Sequence, residues 1–152
     1  MKKVILITIS FLLYYSVSAQ SPVNLNLSFN HLALSVKDVN RSADFYKTVL
    51  GLEEITNRTK MDGIRWFSLG DGKELHLISI VKDTVIINKA VHMALTTNNF
   101  DELLKTLAAN NIIYSDWPGT PNKVNIRADG IKQVFFQDPN GYWIEVNSVG
   151  QK

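Results

Sequence analysis

The chain reads as an α+β protein in which a strand, a helix and three strands occur twice. Three observations predict it: a hidden repeat, apolar periodicity that switches between the strand and helix periods in the same order in both halves, and turn chemistry at matching places. His31-Leu32-Ala33-Leu34-Ser35 runs in step with His92-Met93-Ala94-Leu95-Thr96 at an offset of 61. Phe67 to Gly72 and then His76 match Phe136 to Gly141 and then Glu145 at an offset of 69, so the second copy carries eight extra residues between these two edges.

The elements follow in order. Leu27 to Val36 is rich in strand-forming residues and ends at Lys37-Asp38. A helix follows, capped by Asp38 or Asn40, with Ala43, Tyr46, Val49 and Leu50 as its apolar stripe and Gly51 as its stop. Leu52 to Thr56, Ile64 to Leu69 and Glu74 to Val81 are three strands, the last two joined by Gly70-Asp71-Gly72. Ala90 to Thr97 opens the second copy as a strand. Asn99 caps a helix through about Ala109, with Phe100, Leu103, Leu104, Leu107 and Ala108 as its buried face. A short strand is expected over Ile112 to Ser115, then a loop at Trp117-Pro118-Gly119-Thr120-Pro121. Lys132 to Gln137 and Tyr142 to Ser148 close the copy around Asp138-Pro139-Asn140-Gly141, read as a turn. Neither copy is long enough to fold well alone, so the two are halves of one domain.

Residues 1–19 have the pattern of a secretory leader: Lys2-Lys3, an apolar run from Val4 to about Tyr15, and the small-residue exit Val17-Ser18-Ala19. Cleavage is expected after Ala19, releasing the chain to a periplasm or beyond. Val4 to Ala19 falls short of the roughly 20 apolar residues a spanning helix needs, so no membrane association is expected after cleavage. Residues 20–28 form a lead-in, and a single domain covers 29–149, with module one at about 29–83 and module two at about 88–149. Without Lys2 and Lys3 the chain holds 14 basic and 14 acidic residues, which removes the electrostatic case for nucleic acid. Cysteine is absent, so any metal must be held by nitrogen and oxygen donors.

All three histidines of the chain fall on repeat-defined positions, and Glu145 fills the fourth. His76 and Glu145 each lie four residues after a glycine of a matching turn. Imidazole nitrogens and a carboxylate are suitable donors for a divalent cation. Unpaired burial of Glu145 between Ile144 and Val146 would be costly, and metal ligation would remove that cost. Glu74 shares a strand face with His76, because side chains alternate with period two, and stands as its substitute. Arg65, Trp66, Trp117, Lys123 and Arg127 are candidates for bordering a cleft and holding an anionic or aromatic substrate, with ordinary surface packing the alternative for each.

The stretch from Asp38 to Gly51 resembles the first-helix signature of the vicinal oxygen chelate superfamily, and Phe136 to Glu145 is similar to its closing hairpin. That superfamily includes glyoxalase I, fosfomycin-resistance thiol transferases, methylmalonyl-CoA epimerases, extradiol dioxygenases and metal-free bleomycin-binding proteins. The resemblance implies two βαβββ modules pairing into one open, curved, eight-stranded assembly around a metal and substrate cleft. It places one divalent ion (zinc, nickel, manganese or iron) on His31, His76, His92 and Glu145. Three imidazoles and one carboxylate depart from the two-histidine, two-glutamate set common in glyoxalase I. It further implies a lyase or isomerase acting on a small oxygenated substrate through a metal-stabilised enediolate, with Glu145 as the proton shuttle. Two other outcomes stay open: a metal-dependent dioxygenase, and a non-catalytic small-molecule binder. A homodimer is expected from the resemblance alone.

Overall fold

The computed structural model describes Asn26 and residues 28–149; the expected leader, the expected cleavage site and most of the expected lead-in lie outside the described residues. The order is β1 (His31–Ser35), α1 (Val39–Thr48), β2 (Glu54–Ile55), β3 (Ile64–Gly70), β4 (Lys73–Ile78), β5 (His92–Thr96), α2 (Phe100–Ala109), β6 (Asn125–Ile126), β7 (Lys132–Gln137) and β8 (Trp143–Asn147). Strand, helix and three strands thus occur twice. The eight strands form two four-stranded mixed sheets, ordered β1-β4-β3-β2 and β5-β8-β7-β6. In each, the first and last strands of a module run parallel and the remaining pairs antiparallel. No described helix is long and apolar enough to cross a membrane.

Local chemistry sets these boundaries. Asp38 begins α1, its Oδ1 accepting the main-chain N–H groups of Asn40 at 2.9 Å and Arg41 at 3.1 Å. Gly51, at φ +64°, ends it in the left-handed region, and the Leu52 N–H returns to the Tyr46 carbonyl at 3.0 Å. At α2, Asn99 holds the cap position without a side-chain capping bond, and acidic Asp101 and Glu102 stand in the first turn, where the helix dipole favours them. Phe100 and Leu107 are fully buried, Leu103 and Leu104 partly so, and the expected fifth member of that face, Ala108, is exposed.

The strand expected over Ile112 to Ser115 is not formed. Only Ser115 pairs there, exchanging both main-chain hydrogen bonds with Phe135, after which the chain turns through Pro118 and Gly119. The outer strand of the second sheet is instead Asn125–Ile126. Each two-residue outer strand limits how much open hydrogen-bonding edge the sheet presents.

One core joins the modules. Leu34, Tyr46, Phe67, Leu75 and Leu77 from the first cluster with Phe100, Leu107, Val134, Phe136, Ile144 and Val146 from the second. Both sheets therefore spend one face on the core, and alternation along the strands leaves the opposite faces to carry polar and aromatic groups. The turn Asp138 to Gly141, read in the sequence as simple turn chemistry, also clasps the modules together. Tyr46 donates to Asp138 Oδ2 at 3.1 Å, Asn140 Nδ2 to Ser42 Oγ at 2.8 Å, and the Lys37 N–H to Asn140 Oδ1 at 2.9 Å. Beside them, the Tyr142 hydroxyl donates to the Ser35 carbonyl at 2.9 Å.

Burial first, and then the Asp138 carboxylate, hold the Tyr46 phenol protonated far above its ordinary range. Asp138 Oδ1 also accepts the Asn140 and Tyr142 N–H groups, at 2.8 and 2.9 Å. Asp138→Ala would strand three donors in a buried setting and is expected to cost about 3 kcal/mol, since each unsatisfied buried group costs roughly 1–3 kcal/mol. Urea unfolding of the variant checks this; a loss below about 1 kcal/mol would remove the clasp from the stability argument.

Candidate metal centre

The pairing registers realise the repeat in three dimensions. On sheet one, His76 lies opposite Ala33 of β1 and Trp66 of β3; on sheet two, Glu145 lies opposite Ala94 of β5 and Phe135 of β7. His76 and Glu145 are therefore equivalent positions, as the glycine-plus-four register anticipates. Glu74 is instead equivalent to Trp143, these being the partners of His31 and His92.

The four expected donors stand as two pairs, one on each sheet. On sheet one the His31 and His76 rings stack, with centroids 4.4 Å apart, and His76 stacks in turn on Trp66 at 4.0 Å. His31 Nδ1 bonds Asn30 Oδ1 at 2.7 Å. His76 Nε2 bonds Glu74 Oε2 at 2.8 Å, and Arg58 closes on Glu74 Oε1 at 2.7 Å while lying 4.6 Å from the Trp66 ring centre. Hydrogen bonds from His76 and then Arg58 hold the Glu74 carboxyl below its usual range. With both Glu74 oxygens engaged, His76 keeps Nδ1 for another partner and Glu74 orients it.

On sheet two, His92 Nε2 stands 3.3 Å from Glu145 Oε2. His92 Nδ1 bonds the Lys89 carbonyl at 2.9 Å, and a carbonyl can only accept, so the ring proton is on Nδ1. His92 Nε2 then faces a carboxylate oxygen of Glu145, which is largely buried. Asn147 Nδ2 donates to the other oxygen, Oε1, at 3.0 Å. A proton or a cation between Nε2 and Oε2 would each satisfy this spacing, so the donor set fits a cation. Histidine ligands of metals commonly spend their second nitrogen on a carbonyl or carboxylate in this way.

Among the described residues, no three His, Asp or Glu side chains gather in a group able to hold a metal ion. The four candidate donors thus stand as one pair on each sheet.

The remaining candidates divide. Trp66 is buried against His76, and its Nε1 is a buried donor with no acceptor. Trp117, half exposed, meets His92 edge-on at 6.2 Å and Phe135 at 5.4 Å. Arg65 is not brought to either pair: it makes two bonds to Glu54 and one to Asn40, at the start of α1. Arg127 is spent on Asp129 at an exposed turn. Lys123 pairs with Asp116 at 2.9 Å, at the base of the Trp117 loop. Asn30, Arg58, Lys89, Phe135, Trp143 and Asn147 complete the surroundings and were missed in the sequence. Phe135 and Asn147 had signals, the first as the repeat equivalent of Trp66 and the second as the same-face neighbour of Glu145 two residues on.

Asp116 holds that loop, its Oδ1 accepting Gly119 N at 3.0 Å and Thr120 N at 2.7 Å. Burial would raise its carboxyl, but Lys123 and Thr120 outweigh it and set the value at about 2, below the ordinary 3.8. The folded value is the lower one, so this stabilisation is complete above about pH 4 and is lost as pH falls towards about 2. Melting temperature against pH should fall across that window in the native protein and more shallowly in Asp116→Asn.

Comparison with known proteins places the fold. The family model described as glyoxalase/bleomycin resistance protein/dioxygenase superfamily matches residues 28–146. The chain belongs to this superfamily. It is similar to Glyoxylase I 4 of Arabidopsis thaliana, 27% identical over 136 residues covering 84% of the chain and 74% of that protein. It is also 27% identical to the metallothiol transferase FosB of Staphylococcus saprophyticus, over 80% of the chain and 76% of that protein. Among solved structures, the oxidase ChaP-H2 superposes with a TM-score of 0.68 at 22% identity, over 82% of the chain and 94% of that structure. A glyoxalase/dioxygenase from Nostoc punctiforme does so at 0.65 and 24%, over 86% and 98%. Superfamily relatives bear out the two-module reading and include a metallothiol transferase.

Proposed function

We propose that the chain is a secreted, metal-dependent, glyoxalase I-like lyase or isomerase of small oxygenated substrates, working as a homodimer. His31 and His76 of one copy and His92 and Glu145 of the other would hold one divalent ion. The observation that carries this reading is the facing of His92 Nε2 and Glu145 Oε2 at 3.3 Å, with Nδ1 donating to the Lys89 carbonyl and Nε2 left to meet an ion. The division of the donors between two sheets supports the dimer, because a twofold axis would set sheet one of each copy against sheet two of its partner. The leader pattern of residues 1–19 supports export.

A divalent ion held there supplies Lewis acidity to substrate oxygens. The chain's own residues do the rest. Glu145 is the one carboxylate among the four donors and takes the role of base, accepting a proton from substrate carbon and returning it to the neighbouring carbon. Asn147 steadies Oε1 through its 3.0 Å bond and leaves Oε2 free for that task. Trp117 and Phe135 wall the half-site and limit water. The orphaned Trp66 Nε1 is a donor for an oxygen brought by substrate or partner, since buried N–H groups rarely stay unpaired.

Metal analysis of the mature protein tests the reading. About one equivalent of zinc, nickel, manganese or iron per chain is expected, lost in His92→Ala. A metal-free protein that still binds aromatic compounds would instead make the chain a sequestering binder.

A further inference from the structure

Lys89 lies in the linker between the modules, three residues before His92, where no repeat or motif marks it. Its ammonium donates to Ser115 Oγ at 3.1 Å, to the Asp116 carbonyl at 2.5 Å and to the Trp117 carbonyl at 2.9 Å. All three of its N–H groups are therefore spent on one short stretch of the opposing loop. The same ammonium sits 4.7 Å from the ring centre of Phe135, 4.9 Å from that of Trp143 and 5.7 Å from that of Trp117. Cations are attracted to such ring faces, the more so where water is excluded. Meanwhile the main-chain carbonyl of Lys89 accepts from His92 Nδ1.

We infer that Lys89 is a positioning residue, a latch that clamps the 115–121 loop and its Trp117 ring against His92 and so fixes one wall of the His92–Glu145 half-site. Other contacts do not duplicate it. The Asp116 bonds to Gly119 and Thr120 shape the loop internally, and the Ser115–Phe135 pair anchors only its first residue. Trp117 itself is 49% exposed; its ring meets Phe135 and the edge of His92, while its main chain is held by the Lys89 bond to its carbonyl. Burial lowers the Lys89 ammonium from its ordinary range while the nearby Asp116 charge opposes that shift, as fits a cation drawn into the loop rather than extended into water. The latch does not depend on metal: it links linker to loop in the chain alone, and its test reads out whether or not an ion binds.

Lys89→Met keeps the stem and removes the charge. Amide hydrogen exchange across residues 115–120 should accelerate at least about tenfold, the factor corresponding to loss of one charge-assisted hydrogen bond. Trp117 emission, isolated by subtracting the spectrum of Trp117→Phe, should shift to the red and quench more readily with acrylamide. Lys89→Arg should recover part of the protection, because a guanidinium both donates to carbonyls and stacks on rings. Zinc affinity should change by less than about threefold, since the bond to His92 comes from main chain that every side-chain variant retains. Exchange and emission like those of the native protein in Lys89→Met would overturn the latch. If that variant does not fold, Ser115→Ala, which removes one acceptor, carries the same test: faster amide exchange across residues 116–120 supports the latch, and an unchanged rate overturns it.

Discussion

A mixture of His76→Ala and His92→Ala chains, unfolded and refolded together, is expected to recover about a quarter of the metal sites that neither variant forms alone. The argument starts from the two faces of each sheet. Leu75, Leu77, Ile144 and Val146 turn one face of β4 and β8 into the core the modules share. Alternation then sends His76 and Glu145 to the opposite faces, each with one histidine of the neighbouring parallel strand. The donors stay in pairs, with no group of three able to hold an ion among the described residues. Two-donor sites bind divalent ions weakly, and in the proposed dimer a twofold axis would supply the other half from a second copy. In a mixed dimer one site then collects both defects and the other none. Half of randomly paired dimers are mixed, which sets the recovered fraction at about a quarter of all sites. A cleft closed within one chain predicts no recovery, because every chain carries a defect. Zinc counted after dialysis separates the two outcomes.

What could be read from the sequence follows from what is periodic. Repeat positions were legible because the modules repeat: the offsets of 61 and 69 paired His31 with His92 and His76 with Glu145 without any distance, and the strand registers place His76 and Glu145 on equivalent points. The helices were legible through their caps and stripes, down to Asp38 and Gly51. Features peculiar to one copy were not. The Ser115 bridge and the Asn125–Ile126 strand arise in the stretch carrying the extra residues, where no repeat constrains register. Lys89 sits in an aperiodic linker, and its partners are carbonyls, which no sequence displays. Arg65 looked like a cleft residue next to Trp66, yet adjacent strand residues point to opposite faces, and it meets Glu54 and Asn40 instead. Asp138 was read by its local turn chemistry; its bond to Tyr46 spans 92 residues and is set by packing of the modules.

Glu145→Gln should retain part of the metal and lose turnover by a factor of about 10²–10⁴, the usual contribution of a positioned general base. Both halves of the expectation come from the two oxygens. Oε1 accepts from Asn147, and an amide oxygen there can keep the 3.0 Å bond, so the side chain holds its place. Oε2 faces His92 Nε2, and an amide nitrogen in its stead donates to that nitrogen in the metal-free chain, a bond the ion must displace to bind. Metal binding is weakened by one anionic donor while His31, His76 and His92 remain. No proton acceptor of comparable basicity replaces the carboxylate, because the other acid nearby, Glu74, is already bound by Arg58 and His76. The loss should fall on kcat and be accompanied by loss of substrate carbon-bound proton exchange with solvent deuterium, measured on a hemithioacetal the native protein converts. Asn147→Ala provides the contrast, since it frees Oε1 but leaves the base in place and should cost far less. Unchanged kcat in Glu145→Gln with metal retained would move the base to another residue and leave Glu145 as a ligand alone.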